Sequence, residues 1–294
     1  MIKAAGFVAG AQEDQPVYNS SPITKGAMFT ALKPQPDQAP EELTEEELAM
    51  AETGGCALVE EKPGLPAGVM RNIYLRISAY FIFLLVILLG ASGRLDWANA
   101  WVYMAFVMVL MLAHTRSLVR RAPDLIIERM QGFGKEKIKP WDRVLVPLVA
   151  GVGPIATLLA SAVEMRYHWP SPVPMGLSGA GFCVYLVSFA FVHWAMLENR
   201  FFSTVVRIQT DRGHKVVDRG PYSYVRHPGY AGAILFNLAT PMALGSYWAL
   251  IPAVITAALL VVRTSLEERT LVDELEEYKE YTERVRSRLI PGVW

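Results

Sequence analysis

The sequence predicts an all-α fold, a polytopic membrane helical bundle, on the strength of three observations. The 294 residues are 52% hydrophobic, and the apolar residues come in unbroken blocks rather than in the one-sided stripes of a soluble helix. Several blocks approach the roughly 17–25 residues a helix needs to cross a bilayer core. Basic residues collect in two of the connections and are scarce in the others, as in a topology sorted by the membrane. With 28 basic and 28 acidic residues the formal charge is zero, so the distribution of charge carries the information.

Residues 1–68 read as an acidic, disordered tail. The Glu-rich run 41–61 has few large apolar residues, too few to offset the entropy of ordering it. Residues 69–294 read as one membrane-embedded domain, and its first spanning helix directs insertion because no signal peptide opens the chain. The first span covers about 73–89 and is ended by Gly90 and Gly93. A second covers about 97–118, with Trp97 and Trp101 suited to a membrane interface. The third and fourth cover about 144–163 and 173–197, joined by a turn at Trp169. Two last apolar stretches, about 230–244 and 247–262, are separated only by Gly245-Ser246 and read as a tight hairpin. That makes about six spans. The loop after the second span carries Arg116, Arg120, Arg121, Arg129, Lys135, Lys137, Lys139 and Arg143, and segment 198–226 is also basic. Positive residues favour the cytoplasmic side, which assigns both long loops and both termini there.

Several residues are read as structural. Cys56 and Cys183 lie far apart without CxxC spacing, so neither a disulfide framework nor a zinc site is expected. Cys183 reads as a small apolar residue. His114 and His193 sit near span ends without the spacing of metal ligands, and Trp194 and Trp248 read as interface anchors.

Two segments carry chemistry. Residues 209–232, QTDRGHKVVDRGPYSYVRHPGYAG, crowd Gln209, His214, Lys215, Tyr222, His227 and Tyr230 among glycines and prolines at a span boundary. Irregular polar backbone at membrane depth is tolerated only where it is buried in protein or lines a cavity. A basic anchor for anionic lipid would need the Arg and Lys but not Gln209, Tyr222 or His227. The second segment, residues 263–271, RTSLEERTL, puts Arg263 and Glu267 four residues apart on one helical face. That face runs on through Leu271, Leu275, Tyr278, Thr282 and Val285, predicting an inward-facing Arg263–Glu267 pair with Glu268 about a hundred degrees round as a support. An inward ionisable pair at the end of a membrane span is a functional hypothesis by default.

Together these residues resemble the isoprenylcysteine carboxyl methyltransferase family and its phospholipid methyltransferase relatives. The resemblance rests on GPYxYVRHPxYxG at residues 220–232, then an apolar hairpin, then Arg263, Glu267, Glu268 and Leu271, and then Tyr278, Tyr281 and Arg288-Leu289-Ile290-Pro291. Asn199-Arg200-Phe201-Phe202-Ser203 resembles the family's approach to its site, and the likeness covers about residues 140–294. It implies a membrane enzyme that uses S-adenosyl-L-methionine to methylate a carboxylate on a lipophilic acceptor. It further implies a cofactor site mainly within 199–294, built from Gln209, His214, Lys215, Val216, Val217, Tyr222, His227, Pro228, Gly229, Tyr230, Glu267 and Glu268. Arg263 is implied as the catalytic residue and, with Asn199, as a contact for the acceptor.

The residue chemistry agrees with those roles. Glu267 can accept hydrogen bonds from the cofactor, and tyrosine faces attract a sulfonium. An ionised carboxylate acceptor needs positioning more than a general base, with Arg263 as a two-pronged clamp. His227 would serve as a base only for an amine or thiol acceptor. Expected partners are membrane lipid and a lipidated or lipophilic acceptor, with neither metal nor nucleic acid. Three other readings compete: a phospholipid amine N-methyltransferase, an NADPH-dependent sterol-type reductase and a non-catalytic membrane scaffold.

Overall fold

A computed structural model describes residues 67–131, 138–167 and 173–294. The acidic tail expected over 1–68 falls outside the described residues except for its last two positions, as do Cys56, Lys135, Lys137 and Trp169.

Every regular element among the described residues is helical. Helix α1 (Ala67–Leu85) runs through a π turn (Val86–Gly90) and stops where Gly93 adopts a left-handed φ of 66°, a conformation that costs glycine little. Helix α2 (Ala98–Arg121) carries Arg120 and Arg121 in its last turn, where cations complement the helix dipole. Pro123 cannot continue it and instead opens α3 (Pro123–Gln131), since a first helical position needs no N–H donor. Helices α4 (Asp142–Pro147) and α5 (Gly153–Tyr167) are joined by a π turn (Leu148–Val152) into a single long element. Pro154 has no N–H to bond back to the preceding turn, which accounts for the widened backbone there. Helix α6 (Met175–Glu198) precedes an irregular segment, residues 199–227, and then α7 (Pro228–Leu244), α8 (Leu250–Glu274) and α9 (Tyr278–Arg284) follow.

Five of these elements are long and apolar enough to cross a membrane: Gly68–Gly90, Ala98–Arg121, Asp142–Tyr167, Met175–Glu198 and Leu250–Glu274. The chain is thus a multi-pass membrane protein. The hairpin is present, with Gly245 at φ 76° making its turn, but its first arm, α7, has only 17 residues. The first part of the charged stretch after the last predicted span continues the span itself, because α8 runs unbroken from Leu250 to Glu274, and the separate charged helix near the C-terminus is α9. The predicted stripe from Arg263 to Val285 is interrupted, because Leu275 turns to extended backbone before α9 begins. Leu271, Leu275 and Val285 nonetheless reach one cluster with Tyr222, Tyr278 and Tyr281.

Small residues let these helices close on one another, as membrane packing requires when lipid is as apolar as leucine. A Cβ at Gly181 would lie 2.6 Å from the Ala243 nitrogen, one at Gly232 2.5 Å from Val192 Cγ2, and one at Gly153 2.1 Å from Thr256 Oγ1. The first two seat α7 on α6, and the third seats α5 on α8. Trp97 departs from its predicted interface role: it is buried, and its indole Nε1 donates to the Leu244 carbonyl over 3.2 Å. A buried tryptophan needs such a partner, and here it ties the start of α2 to the end of α7. Glu164 of α5, also buried, accepts from Ser246 Oγ and from the Trp248 backbone nitrogen at 3.0 Å, satisfying the hairpin turn from below. These contacts fix where α7 ends and where α8 begins.

Candidate active site

Residues 199–227 fold back beneath the start of α7. Asn199 caps this turn, its Oδ1 accepting from the Phe201 nitrogen at 2.8 Å while its Nδ2 donates to Tyr222 Oη at 3.1 Å. Tyr281 Oη donates to the Tyr222 carbonyl at 2.7 Å, and burial raises the Tyr222 hydroxyl above its usual range, so it stays protonated. Backbone nitrogens of Arg226 and His227 donate to the carbonyls of Ser287 and Arg288, each at 2.9 Å, lashing the GPYSYVRHPGYAG segment to the chain beyond α9.

A cavity of 290 Å³ opens between this segment, the start of α7 and the polar end of α8, at the lower edge of the range for small-molecule sites. His214, Lys215, Val216, Val217, Tyr222, His227, Pro228, Gly229, Tyr230 and Glu267 line it, as do Asn199 and Arg263. Its other wall is apolar and comes from the spans: Val146, Ala150, Val192, Ala233 and Phe236. Gly229 makes close approach possible there, because a Cβ would meet the Phe202 ring at 2.6 Å.

Two expected cofactor contacts stand behind the wall instead. Gln209 is 1% exposed and fully engaged, its Nε2 donating to the Phe201 carbonyl at 2.6 Å and its Oε1 accepting from Arg212 at 2.8 Å. It positions Phe201 and His214. Glu268 is the hub of a buried network: His227 Nε2 donates to it at 2.6 Å, Tyr278 Oη at 3.1 Å, and Arg226 Nη2 pairs with it at 2.5 Å. Its neighbour Glu267 faces the cavity and accepts from Tyr230 Oη.

The predicted Arg263–Glu267 ion pair does not form. Arg263 reaches instead to Asp142 at the start of α4, with Nε to Oδ1 at 2.7 Å and Nη2 to Oδ2 at 3.1 Å. Nη2 also donates to the Thr204 carbonyl at 2.9 Å. Asp142 is completely buried and accepts from the Val206 nitrogen at 2.6 Å as well. A two-pronged pairing with an otherwise unpaired buried carboxylate outcompetes an i,i+4 contact worth a few tenths of a kcal/mol. The Arg263 guanidinium lies 5.2 Å from the Tyr230 ring centroid, so it still borders the cavity.

Four arginines line the cavity, and three of them are paired with carboxylates: Arg207 with Glu128 and Asp211, Arg226 with Glu268, and Arg263 with Asp142. Arg129 of α3, which in the sequence is one of several loop cations, is the fourth. It lies 5.6 Å over the Phe202 ring, and burial holds its pKa below the usual arginine range. His214 packs on Phe201 with ring centroids 4.6 Å apart. Burial, helped by Arg207 and Arg212, lowers its pKa to about 4.

Away from the cavity, His114 and His193 meet with their Nδ1 atoms 2.7 Å apart, one ring donating to the other, and His193 Nε2 bonds Ser117 at 2.9 Å. That contact crosses from α2 to α6, and sequence spacing carried no sign of it.

Fold and site thus define a multi-pass helical membrane protein with a cavity that is polar on its loop side and apolar on its span side. Residues 181–273 match the Isoprenylcysteine carboxyl methyltransferase (ICMT) family, a narrower stretch than the resemblance read from the sequence. A probable protein-S-isoprenylcysteine O-methyltransferase from Oryza sativa subsp. indica is 31% identical over 97 residues, 31% of this chain and 48% of that protein. The chain therefore spans about half the length of that relative. Methanethiol S-methyltransferase 1 of Bradyrhizobium diazoefficiens is 41% identical over 71 residues, 24% of each chain. A solved structure of the eukaryotic intramembrane Ras methyltransferase ICMT aligns over 84% of this chain and 90% of its own, at 17% identity and a TM-score of 0.45.

Proposed function

We propose that this chain is an integral membrane methyltransferase that uses S-adenosyl-L-methionine and methylates a carboxylate on a lipophilic, isoprenylcysteine-like acceptor. The observation that carries the proposal is the two-sided cavity. Glu267, Tyr222 and Tyr230 border the same space as Val146, Ala150, Val192 and Phe236. The family match over residues 181–273 and the relatives named for O- and S-methyl transfer support the same reading.

The residues present suit such a donor. When bound, S-adenosyl-L-methionine supplies a methyl group on a cationic sulfur. Glu267 and the faces of Tyr222 and Tyr230 give that cation a negative, electron-rich setting. Phe202 over Gly229 keeps water from one side. A carboxylate acceptor is already ionised near neutral pH, so the protein's task is to hold it in line and exclude solvent. His227 Nε2 is committed to Glu268, which leaves it an organiser of the wall rather than a free base. Arg263 adds positive potential through Nη1, since its other nitrogens serve Asp142 and Thr204. The acceptor's apolar tail would lie along the span side and reach the cavity laterally from lipid. With α7 counted as a crossing, both termini and the polar mouth face the cytoplasm, following the basic loops.

Calorimetry on the detergent-purified protein tests the donor. S-adenosylhomocysteine should bind and NADPH should not; NADPH binding without S-adenosylhomocysteine binding overturns the proposal in favour of a reductase. A methyl-transfer panel of a prenylcysteine carboxylate, a phospholipid amine and a small thiol then sorts the acceptor atom. The thiol is included because of the methanethiol relative.

A further inference from the structure

Two lining cations, Arg129 and Lys215, have no carboxylate partner among the described residues, and of these Lys215 is exposed to solvent whereas Arg129 has a buried guanidinium nitrogen. Arg129 makes no hydrogen bond and no ion pair among the described residues, and its Nη1 is buried without a partner. Its guanidinium lies over the Phe202 ring, 5.6 Å from the centroid. A ring face attracts the charge but satisfies none of the five guanidinium N–H donors. Leaving buried donors unmade is costly, more so when they carry charge. The other three arginines on the cavity each hold a carboxylate, and Arg263 in particular has its fork already closed by Asp142. Among the described residues the one lining carboxylate, Glu267, is turned to Tyr230.

The placement of Arg129 is itself braced. Its neighbour Glu128 accepts from Arg207 Nη2 at 2.8 Å in a buried pair, and Asp124 on the same helix meets Arg200 and Arg212 of the facing segment. Helix α3 is thereby pinned against residues 200–212, and an arginine from outside the family-matched stretch is held on the cavity wall.

We propose that Arg129 is the carboxylate-binding residue of this cavity, receiving in its open fork the carboxylate of a bound ligand. The inference rests on the methyl-transfer reading, under which two ligands bring a carboxylate: the amino-acid moiety of the donor and the acceptor itself. Both present the planar two-oxygen group that a guanidinium fork matches.

Calorimetry with two pairs of probes separates these sources. The first pair is S-adenosylhomocysteine and its decarboxylated analogue; the second is an N-acetyl-S-prenylcysteine and the matching primary amide. Arg129→Gln and Arg129→Lys are compared with wild type, and thermal melts verify that each variant is folded. For one pair, Arg129→Gln should weaken the carboxylate probe about tenfold or more, the scale of a charge-assisted hydrogen bond. The carboxylate-free probe should change by less than about twofold, and Arg129→Lys should recover part of the loss. A loss confined to the first pair assigns the donor carboxylate to Arg129, and a loss confined to the second assigns the acceptor's. A folded Arg129→Gln that binds both carboxylate probes within about twofold of wild type overturns the proposal while leaving methyl transfer standing. Wild-type protein that binds neither carboxylate probe overturns the methyl-transfer reading and this inference with it.

Discussion

Arg263 and Asp142, 121 residues apart, meet in a two-pronged ion pair at 2.7 and 3.1 Å that joins the polar end of α8 to the first turn of α4. The same carboxylate accepts from the Val206 nitrogen, and the same guanidinium donates to the Thr204 carbonyl. One buried pair therefore holds two helices and the strip of chain between α6 and the cavity.

Asp142→Asn should destabilise the protein strongly, because it leaves Arg263 charged and buried without its paired carboxylate. Loss of one partner of a buried pair costs about 3–5 kcal/mol. The double variant Asp142→Leu/Arg263→Met should melt above Asp142→Asn, since two apolar side chains bury no unpaired charge. Thermal melts in one detergent compare the three proteins. A double variant that melts below Asp142→Asn would show that the pair supplies net stability, contrary to this expectation.

Glu267 and Glu268 are adjacent in sequence and should behave as opposites. Glu268→Gln removes the negative charge shared by Arg226, His227 and Tyr278 and turns one of its two acceptor oxygens into a donor, and should lower stability by about 3 kcal/mol or more. Glu267→Gln should cost little stability but weaken S-adenosylhomocysteine binding about tenfold, because that carboxylate faces the cavity. Melts and calorimetry on both variants decide it. Equal losses of affinity would put Glu268 on the ligand after all.

The contrast between those two carboxylates marks how far the sequence was legible. Local spacing carried the helical hairpin and the clustering of His214 to Glu267 around one space, because turns and helical faces are set within a few residues. Partners a hundred residues apart were not legible. An i,i+4 spacing shows that Arg263 can meet Glu267 but not that Asp142 offers a better-placed acceptor. Gln209 lies in a segment that does form the site, yet whether it faces the cavity or Phe201 depends on a side-chain direction that irregular backbone does not encode. Arg129 stood among many loop cations, and what distinguishes it is a buried Nη1 on the cavity wall with no partner among the described residues. Trp97 misled because a tryptophan at a span end suits both an interface and a buried indole with a carbonyl to bond.

Gly229→Ala should impair binding more than folding. Its Cβ would sit 2.6–2.7 Å from the Phe202 ring, and that ring both walls the cavity and carries Arg129 on its face. Overpacking of this kind typically costs about 1–3 kcal/mol. Affinity for S-adenosylhomocysteine should fall about tenfold or more as Phe202 is pushed aside, and a second change, Phe202→Leu, should restore part of it by making room. Wild-type affinity in Gly229→Ala alone would mean that the ring moves freely and does not shape the site.

His214 gives the site a pH dependence whose sign is fixed. Its pKa is lowered to about 4 by burial first and by Arg207 and Arg212 next, whereas an unfolded histidine titrates near 6.5. Between those values the unfolded chain binds the proton and the folded chain does not, so stability rises with pH across this window. The contribution of His214 is complete above about pH 6.5 and is lost as pH falls toward 4. Screening at a partly exposed ring reduces the effect to the order of 1 kcal/mol, a melting shift of about 2–4 °C in a chain of this size. Carboxylates that pair in the fold titrate in part of the same range, so the readout is the difference between wild type and His214→Gln, melted at pH 7.5 and at pH 5. The variant should lose less on acidification than wild type does. Identical losses would show that His214 is solvated and titrates as a free histidine, and that it does not form the buried wall beside Phe201.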